Sequence, residues 1–294
     1  TGITFHSSVE RPDEHQQLLR DAGEQIHILR LQGYLFFGTT QNLLNRIRER
    51  MKDPTLPPLQ YLLLDFHRVA GVDSSSVLGF VRLHQLAEAS GVQLVATDVQ
   101  PAILDRLGQG GLREGEDAHF HVSPNLDHGM EWVENLLLAA DSRSMIVHAA
   151  SLQAQLRKVF KTSEEIDCFM KYLEREEVDA DHILIHQGDP PEAMYFLDSG
   201  QVTAELRAEG SQPIRLRSMG GGTVIGEMGL YLKEIRTATV FTTRPSVMYR
   251  LSEASLHEME TRDPETAAAL HQWMVRLLAQ RLRENNETLE VLLG

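Results

Sequence analysis

Gly222-Thr223-Val224-Ile225-Gly226-Glu227-Met228-Gly229-Leu230, followed after a short gap by Arg236-Thr237-Ala238-Thr239-Val240, decides how the second half of the chain reads. Glycines let the backbone approach a ligand closely. The residues after Gly226 read as a short helix, whose unpaired N–H groups favour an anion. Glu227 would repel that anion, so its carboxylate suits hydrogen bonds from a sugar hydroxyl. Arg236 supplies a planar fork of donors matched to two phosphate oxygens, and Thr237 adds a hydroxyl. The plainer alternative is that Glu227 and Arg236 pair with each other inside an empty roll.

The surroundings of this stretch are β-type. Short runs at 182–186, 194–197, 201–206, 214–216, 237–242 and 247–251 are separated by Gly, Pro and Asp, the pattern of a small antiparallel roll. A helical stretch from Leu152 to Leu173, with a break at Thr162-Ser163, leads into the roll. Pro264 opens a long helix to Leu293 with Leu270, Met274, Leu277, Leu278, Leu282, Leu289 and Leu293 as its apolar stripe. That stripe fits a lid over a ligand or the seam of a homodimer, and Asn285 and Asn286 interrupt it as a long coiled coil.

The first half has a different rhythm. After a polar arm at 1–24 with no clear period, a strand is expected at Ile26–Leu31 and ends at Gly33. A helix follows at 41–51, then the continuous apolar run Tyr61-Leu62-Leu63-Leu64-Asp65-Phe66, which suits a strand covered on both faces. Asp73-Ser74-Ser75-Ser76 offers N-cap side chains for a helix to about Ser90. A strand at 93–97, a helix at 101–107, a strand at 120–122 and a helix from about Asn125 to Ala140 complete the alternation. The expected fold class is α+β in two domains: an α/β sandwich with a mostly parallel sheet, then a β-roll with flanking helices. The expected division is an arm at 1–24, the α/β domain at 25–140, a helical connector at 141–160 and the roll with its lid at 161–294.

Composition narrows the function. The net charge of -14 disfavours a general nucleic-acid binder, though not one small anion in a local pocket. The single cysteine, Cys168, excludes an internal disulfide and a multi-Cys zinc site. His119 and His121 with Glu116 and Asp117 read as a polar loop before they read as a metal site. Gly108-Gln109-Gly110-Gly111 lacks the Gly-Lys-Ser/Thr ending of a phosphate loop, and Ser74–Ser76 lacks the Gly-x-Ser-x-Gly elbow. No catalytic constellation, cofactor site or metal site is expected, so the chain reads as non-enzymatic. No apolar run reaches the length of a spanning helix. The start lacks Met, so the chain reads as an excised or processed piece of a longer protein.

The quoted cassette resembles that of the cyclic nucleotide-binding domain family: Gly-Glu, a small residue, Leu, a loop, then Arg-x-Ala-x-Val. Gly188-Asp189, Tyr195, Leu197, Gly200 and Val202 stand at the spacing of that family's early strands. The resemblance covers about residues 150–294. It implies a ligand, cAMP or cGMP, held by Gly226, Glu227, Met228, Gly229, Leu230, Arg236, Thr237 and Ala238. Glu227 would take the ribose 2′-hydroxyl and Arg236 the cyclic phosphate, Thr237 would assist, and the terminal helix would close over the base. Ile235 stands where many members have Pro.

In the first half, Gly33-Tyr34-Leu35-Phe36-Phe37-Gly38-Thr39-Thr40, Leu64-Asp65-Phe66 and Val72-Asp73-Ser74-Ser75-Ser76 resemble the STAS domain, over about residues 20–140. The Phe-Phe-Gly-Thr segment is more similar to the branch found in SulP/SLC26-type anion permeases. The sigma-regulator branch is phosphorylated at the serine after the Asp, which falls on Ser74 with Ser75 next, whereas the bland reading is a helix cap. Together the resemblances imply the cytosolic regulatory tail of an inorganic anion transporter, at the inner face of the plasma membrane. Its partners would be a cyclic nucleotide and the parent's membrane domain, not nucleic acid. A soluble partner-switching protein under nucleotide control is the alternative, and a transcription factor is disfavoured because no helix-turn-helix follows the last helix.

Overall fold

The computed structural model describes residues 1–11, 13–115, 118–140, 152–207 and 213–293. The chain forms two units, Thr1–Ser7 with Asp13–Met145 and Ser8–Pro12 with Ile146–Gly294. Residues 141–151 of the expected connector, and Glu116 and Asp117 of the candidate loop, lie outside the described residues.

The first unit runs α1 (Asp13–Ala22), β1 (Ile26–Leu35), α2 (Phe37–Lys52), β2 (Tyr61–Val72), α3 (Ser74–Ala89), β3 (Gln93–Thr97), α4 (Pro101–Gln109), β4 (Phe120–Ser123) and α5 (Leu126–Ala140). Its four strands are parallel in the order β1-β2-β3-β4. The period of two along β2 explains the unbroken apolar run. Leu62 and Leu64 join Leu94, Ala96, Leu44 and Phe80 in one core, while Tyr61 and Leu63 join Val95, Leu126, Met130 and Val133 in another. Both faces are covered, so both sets are apolar.

Two expectations fail here for identifiable reasons. The strand does not end at Gly33; β1 runs on to Leu35 because register shifts flank Gln32 and Gly33, and Gly33 sits at φ 75°. A bulge absorbs the glycine rather than stopping the strand. The arm is not all irregular: α1 forms and packs on α5, with Leu19 as its buried anchor.

The second unit runs α6 (Leu152–Val159), α7 (Ser163–Met170), β5 (Glu174–Val178), β6 (Ile183–Ile185), β7 (Ala193–Leu206), β8 (Ile214–Gly220), β9 (Val224–Ile225), α8 (Glu227–Leu232), β10 (Thr239–Ser252), α9 (Glu253–Arg262) and α10 (Pro264–Leu293). The break at Thr162-Ser163 is a cap, since the Thr162 hydroxyl accepts the Glu165 amide at 3.2 Å. The strands make an antiparallel sheet in the order β5-β10-β7-β8, with β6 on β10 and β9 on β7. The runs at 194–197 and 201–206 are one strand, and so are those at 239–242 and 247–251. Each long strand bends through register shifts that the sequence punctuates like turns. Strand β5 and helix α9 have no counterpart among the expected elements.

Ile185, Leu197, Val202, Met219, Ile225, Val240 and Met248 fill the inside of the roll. On its other side Phe160, Phe169 of α7 and Trp273 of α10 gather around Phe196 of β7, and the rings of Phe160, Phe169, Phe196 and Trp273 follow one another at centroid separations of 5.2, 5.4 and 5.6 Å. Leu270 and Met274 of the α10 stripe are buried in this core, whereas Leu282 is exposed; Leu289, Leu293, Asn285 and Asn286 have side chains outside the described ones.

Candidate functional site

Gly226 ends β9 in the left-handed region, at φ 80° and ψ 8°, and α8 starts at the next residue. A Cβ at Gly226 would lie 2.8 Å from Nη1 of Arg236, so the glycine is required both by its backbone angle and by the guanidinium beside it. Arg236 is held from two directions. Its amide donates to the Asp189 carbonyl at 2.9 Å, and its own carbonyl accepts the Gly188 amide at 2.8 Å. The turn at Gly188-Asp189, singled out in the sequence, is therefore the backbone clamp of the arginine.

The side chains of the cassette do not meet as simply as the sequence suggests. Glu227 and Arg236 are both buried, at 3% and 7% exposure, yet they are not bonded to each other. Arg236 donates from Nη1 to the Gly226 carbonyl at 2.7 Å and from Nη2 to the Ala193 carbonyl. Burial pushes its guanidinium pKa down, with Tyr195 and Glu227 acting the other way. An arginine so placed remains charged at neutral pH. Glu227 accepts from Nη1 of Arg281, on α10, at 2.6 Å. Met228 and Thr237 are exposed, Gly229 and Ala238 are half-buried, and Leu230 is buried in the helical core. Thr237 lies in a bend; β10 begins at Thr239, two residues later than expected.

Arg281 is the member of the site that sequence reasoning missed. It lies 54 positions from Glu227, and no local motif marks it. The only available signal is a basic residue on the polar side of a helix expected to act as a lid.

In the first unit, the Asp73 carboxylate accepts the Ser76 amide at 2.6 Å and the Ser75 hydroxyl at 2.8 Å, capping α3. These hydrogen bonds, led by that from the Ser76 amide, hold the Asp73 carboxyl below its ordinary pKa. Ser74 is exposed at the first helical position, while Ser75 is half-buried and committed to the cap. Phe36 and Phe37 stand out of the surface beside the start of α2, which the Thr39 hydroxyl supports by accepting the Phe36 amide at 2.9 Å.

His121 stacks on Trp132 and lies 3.0 Å from the Glu114 carboxylate. Among the described residues no group of three or more His, Cys, Asp or Glu side chains is placed to hold a metal ion. Among them, too, no helix is long and apolar enough to cross a membrane.

Comparison with known proteins places both halves. Residues 20–128 match the family model of the STAS domain, and residues 175–263 match that of the cyclic nucleotide-binding domain. The chain carries one domain of each kind. The nucleotide-binding match takes in the whole cassette and the Gly188-Asp189 clamp, and the STAS match takes in Phe36-Phe37 and the Asp73 cap.

Glutaminase 2 of Bradyrhizobium diazoefficiens is 27% identical over 299 residues, covering 99% of this chain and 45% of that protein. The vacuolar basic amino acid transporter VSB1 of Saccharomyces cerevisiae is 29% identical over 143 residues, covering 47% of this chain and 14% of that protein. The chain thus spans less than half the length of these curated relatives. The crystal structure of a cyclic nucleotide-binding domain from Methylobacillus flagellatus is 21% identical, covers 50% of this chain and 89% of its own, and has a TM-score of 0.42.

Proposed function

We propose that this chain is a cyclic-nucleotide-sensing regulatory region, in which cAMP or cGMP binds the roll and the STAS domain passes the signal to an attached effector. Glu227 takes the ribose hydroxyl, Arg236 the cyclic phosphate, and Gly226 with Gly229, lacking Cβ atoms, leaves room for the Arg236 guanidinium against the backbone. Met228, Leu230, Thr237 and Ala238 complete the cassette. The observation that carries this reading is the separation of the two charged groups: each is buried, and neither is neutralised by the other. Residues 141–160 join the sensing part to the STAS part along the chain.

The effector has two readings. The similarity to a glutaminase over 99% of this chain supports a region that regulates amide hydrolysis by a linked catalytic domain. The Phe36-Phe37-Gly38-Thr39 segment and the yeast transporter similarity support the tail of a SulP/SLC26-type transporter, with its membrane domain as partner. Cyclic-nucleotide-dependent glutamine hydrolysis by the full-length parent separates the first from anion uptake by the second. Under either reading, phosphorylation at Ser74 would place negative charge at the start of α3 and alter the surface around Phe36 and Phe37.

Titration calorimetry with cAMP and with cGMP tests the sensor. The chain should bind one of them, and Arg236→Ala should lose at least about two orders of magnitude in affinity, as expected for a buried charge-assisted contact. Absence of heat from both nucleotides would end the reading.

A further inference from the structure

Glu227, assigned above to the ribose, is already occupied by the protein. Nη1 of Arg281 donates to its Oε1 at 2.6 Å, while Nη2 donates to the Val224 carbonyl at 3.0 Å and to the Thr223 hydroxyl at 3.1 Å. The Arg281 side chain is 15% exposed and that of Glu227 is 4% exposed, so the pair is largely desolvated. Such a pair resists the loss of one partner more than its net contribution to stability suggests.

A second carboxylate reaches the same guanidinium from the N-terminal arm. The Glu10 amide donates to the Ser218 carbonyl at 2.7 Å, and the Ser218 amide donates to the Ser8 carbonyl at 3.0 Å. Val9 thereby forms a parallel bridge to β8. Oε2 of Glu10 then lies 3.7 Å from Arg281, 3.7 Å from Arg217, and 3.3 Å from the Thr223 hydroxyl that donates to it. Thr223 gives its proton to the arm and accepts from the helix. The charges of Glu10, Glu227, Arg217 and Arg281 cancel.

We propose that Arg281 and Glu10 form a latch over the nucleotide site, with Arg281 standing in for the sugar hydroxyl at Glu227 until a nucleotide displaces it. The inference rests on the assignment of Glu227 to the ribose and adds the competitor for it. Release costs less than the number of contacts implies, because Nε of Arg281 is buried without a hydrogen-bond partner and regains one in water. A ligand that takes Glu227 removes the shortest of the Arg281 hydrogen bonds, and with it a partner of the arm. By linkage, whatever holds the latch closed weakens the nucleotide by the same factor.

The test is nucleotide affinity together with amide hydrogen exchange at residues 8–11, in the whole chain and in Arg281→Gln and Glu10→Gln. Glutamine at 281 keeps a donor to Glu227 but drops the charge. It should tighten cAMP or cGMP binding about tenfold, within the range common for coupled sites. Glu10→Gln touches only the half-exposed end of the network and should tighten binding about two- to threefold. Saturating nucleotide should also speed exchange of the Glu10 amide in the unmodified chain. If the unmodified chain binds nucleotide but both variants bind equally well or worse, the latch is refuted and the sensor stands. If neither the chain nor either variant binds any cyclic nucleotide, the sensor reading itself fails, and the latch fails with it as a nucleotide gate.

Discussion

Replacing Gly226 by alanine should damage the roll and the proposed nucleotide site together. Forcing an L-residue into the left-handed region costs about 1–2 kcal/mol. The new Cβ would lie 2.8 Å from Nη1 of Arg236 and 3.0 Å from Cδ1 of Ile185. A guanidinium end is normally easy to move, but this one is fixed by the Gly226 and Ala193 carbonyls. Displacing it forfeits part of a charge-assisted pair of contacts, about another 1–2 kcal/mol. The sum is about 2–4 kcal/mol, on the order of 10 °C in the melting of a unit of this size. Gly229→Ala is the control. Its Cβ would lie 3.1 Å from the same Nη1 and 3.3 Å from the Glu234 carbonyl and Pro191 Cβ, but the residue is inside α8 and needs no positive φ, so improved helix propensity offsets part of the crowding and the loss should be smaller. Differential scanning calorimetry on both variants, followed by nucleotide titration, makes the comparison. Equal melting temperatures for Gly226→Ala and Gly229→Ala would show that neither the backbone angle nor the seating of Arg236 matters.

Two more expectations follow from the packing and the titrations. Phe196→Ala opens the centre of the chain of rings that includes Phe169 and Trp273, and should cost about 3–5 kcal/mol in urea denaturation, with a change in tryptophan emission. Tyr172 donates to the Asp263 carboxylate, which raises its pKa to about 12. Its contribution to folding is thus fully present below the ordinary tyrosine value near 10, and is lost as pH rises through the folded value. Burial also raises the Tyr61 and Tyr231 phenols, so phenolate absorbance should show several late-titrating tyrosines, of which Tyr172→Phe removes one, and alkaline unfolding of the variant should begin at lower pH.

The alternation from β1 to α5 was legible because the buried positions of its strands are mostly apolar, Asp65, Thr97 and Ser123 aside, and its helices carry apolar stripes; α1 lies in a stretch with no clear period and was not legible. The cassette was legible because Gly226, Glu227 and Arg236 are close in sequence, so their spacing carries the geometry. Other features lie where local pattern is silent. Strand β5 reads Glu174-Arg175-Glu176-Glu177-Val178, with charges facing solvent, and is a strand only because β10 pairs with it. Gly33 looks like a stop until β2 is there to take up the bulge. Arg281 and Glu10 enter the site through contacts separated by 271 positions, a distance over which no periodicity speaks.

The pairing of residues 8–10 with β8 also bears on how the chain can be divided. A fragment beginning after the first unit would lack them, and Ser218 would then show an unmatched amide and carbonyl to solvent. On the same strand Ile214 and Leu216 are 56% and 47% exposed. An open, sticky margin of that kind invites the strands of other molecules. A fragment cut in this way would self-associate, and its behaviour in solution would misrepresent that of the longer chain.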